Sequence, residues 1–90
     1  MNIYSVNLTK RAERQLEKLP RHIVNKLALW IEMIEVDGWA YAKKIPGFND
    51  EALLGKRFGQ RSVRLSRSYR VIFKVTRLYI EIMEVSKHDY

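Results

Sequence analysis

The sequence predicts an α+β domain with the element order β-α-α-β-β-β, in which a largely antiparallel four-stranded sheet carries two helices on one face. Three observations lead there. Two early segments repeat apolar residues at helical spacing: Ala12, Leu16 and Leu19, then Ile23, Leu27, Ile31 and Ile34. Three later segments are rich in β-branched and aromatic residues and are separated by short turn signals. The chain has 90 residues, 47% of them hydrophobic, which suits one core and a single domain over residues 1–90.

The elements follow in order. "NIYSVNL" is rich in β-formers and reads as the first strand. Thr9 can cap the helix "KRAERQLEKL", whose Ala12, Leu16 and Leu19 face a core. Pro20 ends that helix and opens the next, because its missing N–H costs nothing in a first turn. The second helix spans about residues 21–36, its apolar stripe widened by Val24, Ala28 and Trp30, and Asp37-Gly38 stops it. Residues 39–54 read as a long connection with Pro46-Gly47 and Asn49-Asp50 as turn signals, and connections of that length are often functional. Strands are expected at about 60–65, 69–75 and 79–87.

Composition narrows the function classes. There is no cysteine, hence no disulfide framework and no thiolate metal site; two histidines without metal-ligand spacing do not suggest a catalytic metal. No apolar run reaches the length of a membrane span, and no basic segment with a long apolar stretch opens the chain, so neither a membrane segment nor a signal peptide is expected. The expected location is the cytoplasm.

The net charge is +7, and its distribution is lopsided. Between Ala52 and Ile80 lie Lys56, Arg57, Arg61, Arg64, Arg67, Arg70, Lys74 and Arg77 with no acidic residue, while the rest of the chain has 9 basic and 10 acidic side chains. Clustered positive charge is the footprint of a polyanion site, most often nucleic acid. The alternative is a basic surface that is merely solvated.

The arginines recur every third residue, a period that matches neither strand nor helix. Folding the segment into hairpins with three-residue turns, Ser66–Ser68 and Thr76–Leu78, resolves this. Val63 then pairs with Val71, Arg64 with Arg70, Phe73 with Glu81 and Arg70 with Glu84. Strand alternation puts Val63, Leu65, Tyr69, Val71, Phe73, Val75, Tyr79, Met83 and Val85 on a core face, with Glu81 as the misfit. Ser62, Arg64, Arg70, Ile72, Lys74, Ile82, Glu84 and Ser86 share the open face, extended by His88 and Tyr90. Arg67 falls at a turn tip and Arg61 on the core side near a strand end. Like charges placed opposite one another destabilise a sheet. The Arg64–Arg70 pair therefore implies either an anion above it or neutralisation by Glu84.

Arginines, an imidazole, a carboxylate and a phenol on one face suit cleavage of RNA by its own 2′-hydroxyl. A base activates the hydroxyl, guanidiniums stabilise the charged phosphorane, and an acid protonates the 5′ oxygen. His22, at a helix start among basic neighbours, has no such setting.

With "PGFNDEALLGKRFGQRSVRLSRSYRVIFKV", the ending "EVSKHDY" and the element order, the chain resembles the RelE/ParE superfamily of toxins of bacterial type II toxin–antitoxin systems. Within it the chain is most similar to the RelE- and YoeB-like mRNA interferases. That resemblance implies a RelE-like fold and a ribosome-dependent mRNA endonuclease that needs no cofactor. It implies a catalytic set of Glu51, Arg70, His88 and Tyr90, with Asp50 as the alternative carboxylate. In the YoeB-like ending the histidine and tyrosine are adjacent, whereas here Asp89 separates them. RNA contacts are implied for Lys56, Arg57, Arg61, Arg64, Arg67, Lys74 and Arg77. The implied partners are a cognate antitoxin, the ribosome and mRNA. Two further readings use the same fold: a ParE-like inhibitor of DNA gyrase without enzymatic activity, and a basic RNA-binding module without activity.

Overall fold

The computed structural model describes residues 2–87. The chain is α+β, as the patterning requires, with more elements than the sequence reading assigns. In order they are β1 (Val6–Leu8), α1 (Lys10–Leu16), α2 (Arg21–Asp37), α3 (Trp39–Ala42), β2 (Glu51–Ala52), β3 (Arg61–Arg64), β4 (Tyr69–Val75) and β5 (Ile80–Lys87). The five strands form one mixed sheet in the order β1-β5-β4-β3-β2, with only the β1–β5 pair parallel. Four strands and two helices are thus corrected to five strands and three helices. The additions, α3 and β2, lie inside the supposed connection 39–54, where neither is long enough to show a hydrophobic period. Among the described residues no helix is long and apolar enough to cross a membrane.

Local chemistry sets the helix boundaries. The Thr9 hydroxyl accepts from the Ala12 amide at 3.2 Å, capping α1. Pro20 is the N-cap of α2. Gly38 ends α2 at φ 88°, and a β-carbon there would collide with the Asn2 side chain. Asn2 uses that closeness, since its carboxamide oxygen accepts from the Ala40 amide at 2.8 Å.

The helical stripe Ile23, Leu27, Trp30 and Ile34 packs on one sheet face against Val63, Val71, Phe73, Ile80 and Ile82, all nearly inaccessible to solvent. Trp30 and Phe73 meet with ring centroids 5.0 Å apart. Burying aromatics and branched aliphatics of this size supplies most of the driving force for folding.

The first hairpin has the expected register, with Val63 opposite Val71 and Arg64 opposite Arg70. The second does not. Val75 pairs with Ile80, so its turn has four residues, Thr76 to Tyr79. Phe73 then meets Ile82, not Glu81, and Glu81 meets Lys74. Ile82 moves from the open face into the core and Glu81 moves out of it. A bulge follows: Phe73 pairs with Ile82 while Ile72 pairs with Glu84, leaving Met83 between them. The extra residue restores the alternation, so Val85 lies in the core and Glu84 and Ser86 lie on the open face, where Ser86, not Glu84, is opposite Arg70. The isolated Glu81 misfit was the trace of this one-residue slip.

Helix α1 completes the outer edge of β5. Strand β1 pairs only with Ile80–Ile82. Beyond it the Thr9 hydroxyl donates to the Met83 carbonyl at 3.0 Å, and the Gln15 carboxamide oxygen accepts from the Val85 amide at 2.7 Å. Side chains thus satisfy backbone groups that a neighbouring strand would otherwise take.

Candidate active site

The sheet face away from the helices carries Glu51 on β2, Ser62 and Arg64 on β3, Arg70, Ile72 and Lys74 on β4, and Glu84 and Ser86 on β5. Its centre is Arg70. One guanidinium nitrogen donates to the Ser62 hydroxyl at 3.0 Å and approaches the Glu51 carboxylate at 3.4 Å. Ser62 is buried, so it fixes the guanidinium, while the longer contact to half-exposed Glu51 is a loose ion pair. Arg64 lies directly opposite Arg70 and is exposed. A cleft lined by Asn49, Ser62, Arg64, Ser66, Arg67, Tyr69 and Arg70 opens beside the pair.

Asp50 and Glu51 separate cleanly. The Asp50 side chain is fully buried, accepting from the Arg61 guanidinium at 2.8 and 2.7 Å and from the Trp39 indole at 3.0 Å. Arg61 also stacks over the Trp39 ring, 5.4 Å from its centroid. With its oxygens occupied, Asp50 has no free lone pair directed at a substrate. Glu51 is the carboxylate of this pair on the arginine face.

The expected contact residues divide by partner. Lys56, Arg67, Lys74 and Arg77 are exposed, and no carboxylate of the described residues forms an ion pair with them or with Arg64. Arg61 lies on the helix side of the sheet, locked to Asp50. Arg57 crosses the open face to Glu84, at 2.9 Å. His88 and Tyr90 lie outside the described residues.

Glu84 is a buried carboxylate on the face away from the helices, held by Arg57, by Arg11 of α1 at 2.9 Å and by the Ser86 hydroxyl at 2.7 Å. Burial by itself pushes its carboxyl up. The Ser86 hydrogen bond and the charges of Arg57 and Arg11 together outweigh that and hold it below the usual glutamate range. Sequence reasoning did not find Arg11, because nothing local marks one exposed helical arginine as a neighbour of a strand 73 residues later. Asn49 and Ser66 were missed for a similar reason, being loop residues brought to the cleft by the fold.

The other side of the sheet bears an apolar groove lined by Trp39, Leu53, Leu54, Phe58 and Val75, with Arg61 as its only charged wall. Arg61 being committed to Asp50, the groove has no group free to move a proton. The half-exposed Glu51 carboxylate lies on the arginine face instead.

The fold recurs in known structures. YafQ from E. coli strain BL21(DE3) superposes with a TM-score of 0.77 over 93% of this chain and 92% of that one, at 12% identity. The heterotetrameric YoeB–YefM toxin–antitoxin complex from Staphylococcus aureus contains a chain that matches with a TM-score of 0.71 over 96% and 97%, at 17% identity. The chain has the fold of the YafQ and YoeB toxins. A YoeB/ParE toxin from Agrobacterium tumefaciens shares it too, with a TM-score of 0.69, 19% identity and 94% and 99% coverage. No protein-family model matches the sequence, and no curated protein does. The same fold is thus carried here by a sequence at most 19% identical to these structures.

Proposed function

We propose that this protein is the toxin of a type II toxin–antitoxin pair and that it cleaves mRNA on the ribosome, in the cytoplasm, by metal-independent attack of a 2′-hydroxyl. One observation carries the reading: Arg70, fixed by Ser62, reaches the Glu51 carboxylate at 3.4 Å and lies opposite Arg64 in the ladder, beside an open cleft. A carboxylate beside two guanidiniums suits a phosphodiester whose own 2′-hydroxyl is the nucleophile.

In this mechanism the proton leaves the 2′-oxygen, which bonds to phosphorus. Arg70 and Arg64 stabilise the charge that develops on the non-bridging oxygens. The bond to the 5′ oxygen breaks as that oxygen takes a proton, leaving a cyclic 2′,3′-phosphate and a free 5′-hydroxyl. Glu51 and His88 divide the base and acid roles, and Tyr90 completes the catalytic set. Lys56, Arg64, Arg67, Lys74 and Arg77 steer and hold the RNA. The antitoxin partner is supported by the likeness to a chain found in a YoeB–YefM complex.

The test is primer extension on a reporter mRNA in a cell-free translation reaction, comparing wild type with Arg70→Ala and His88→Ala. Discrete cuts that require ribosomes and vanish in both variants are expected. An intact message together with gyrase-linked DNA breaks would replace this reading with the gyrase inhibitor.

A further inference from the structure

We propose that Glu84 is a positioning residue for the RNA site, acting through Arg57 to hold the loop of residues 53–60 across the open face. The proposal rests on the RNA-cleaving reading and assigns Arg57 to the protein's own architecture, leaving the RNA contacts to the unpaired cations.

The loop has little else to hold it. It joins β2 to β3 through a turn at Gly55–Arg57. Its backbone hydrogen bonds are made within the loop itself, such as Leu53 amide to Gln60 carbonyl at 2.9 Å. Of its three large apolar side chains, Leu54 and Phe58 are 82% and 83% exposed, and Leu53, partly buried, is not among those packed on the core cluster. Among the described residues, Arg57–Glu84 is the only side-chain hydrogen bond or ion pair between this loop and another element.

The acceptor end is unusually well fixed. Glu84 is 5% exposed on the face away from the helices, and Arg11, Arg57 and Ser86 all bond to it. Ile72, between Ser62 and Glu84 in the ladder, is buried although it points away from the helices. The strap therefore runs from the β2 edge to β5 over a covered centre. The segment it restrains begins two residues after Glu51 and contains Lys56. Its position sets where Lys56 stands over the face and supports the short strand that presents Glu51.

Three variants of the full-length protein test this: Arg57→Gln, Glu84→Gln and the double variant, with Arg11→Gln as the control that touches Glu84 but not the loop. Amide hydrogen exchange reports the loop without reference to RNA. Each of the first three should raise exchange at residues 53–60 by about tenfold, the scale of losing one charge-assisted hydrogen bond, with the double no worse than either single. Arg11→Gln should leave the loop protected. Ribosome-dependent cleavage should then fall to a similar extent in all three loop variants. Unchanged exchange in Glu84→Gln would overturn the proposal. So would a loss of cleavage in Arg57→Gln with Glu84→Gln near wild type, which would make Arg57 a direct RNA contact. If the exchange pattern appears but the wild type cuts no RNA, the strap stands and the endonuclease reading fails.

Discussion

Asp50 and Glu51 are neighbours in the chain and opposites in the fold. Asp50 turns to the helix side, where Arg61 and Trp39 occupy its oxygens and no water reaches it. Glu51 turns to the open side, half-exposed, beside an arginine held mainly by something else. The arginines divide with them: Arg61 is a structural cation, whereas Arg64 and Arg70 form a pair that the protein leaves partly uncompensated. The difference shows that charge has two uses on one sheet. On the covered face an ion pair must be complete, because an unpaired buried charge is costly. On the open face incompleteness is tolerated by water, and it is what a phosphate would satisfy.

The sharpest way to break this contrast is Arg61→Ala. It strands the buried Asp50 carboxylate, and the expected loss is about 3–5 kcal/mol of unfolding free energy by chemical denaturation. A variant as stable as wild type would mean that Asp50 is not the structural member of the pair. Next is Glu51→Gln on the other face. Its denaturation midpoint should match wild type, while ribosome-dependent cleavage slows by about 10²–10⁴-fold, the usual contribution of a proton-transferring side chain. If stability fell and the rate held, the two carboxylates would have exchanged roles.

Glu84 lies between these extremes, buried yet on the open face. Its carboxyl is held below the usual glutamate range, so in acid the unfolded chain binds the proton more readily than the folded one. Its stabilising contribution is complete above the unfolded value, about 4.3, and is lost as pH falls through the lower folded value. Denaturation midpoints across the acid range should therefore decline less steeply for Glu84→Gln than for wild type. The smallest effect is expected from Arg64→Gln: near-wild-type stability, and a salt dependence of RNA binding shallower by about one unit of slope. No change in slope would remove Arg64 from the phosphate contacts.

Much of the fold was legible in the chain. The stripe Ile23, Leu27 and Ile34 was readable because helical spacing is a local property. Tyr69–Val75 was readable because turn chemistry brackets a run of β-formers. The arginine pairing was readable because one short turn fixes one register. The second hairpin failed where two compensating irregularities, a longer turn and a bulge, left only the Glu81 misfit as a trace. Of the candidate site, the sequence marked Glu51 and Arg70 but left Asp50 as an alternative, and it grouped Arg57 and Arg61 with the free cations.

By itself, then, the sequence determined the fold class, the two longer helices, the first hairpin and the concentration of positive charge beside one carboxylate-bearing loop. These follow from periodicity and turn preference, which act over a few residues. Only the tertiary structure decided which charges are occupied. Arg61 finds Asp50 eleven positions back, Arg57 finds Glu84 twenty-seven positions on, and Arg11 reaches the same carboxylate from the far end of the chain. An ion pair is selected by distance and burial, and both exist only once the sheet has brought its edges together.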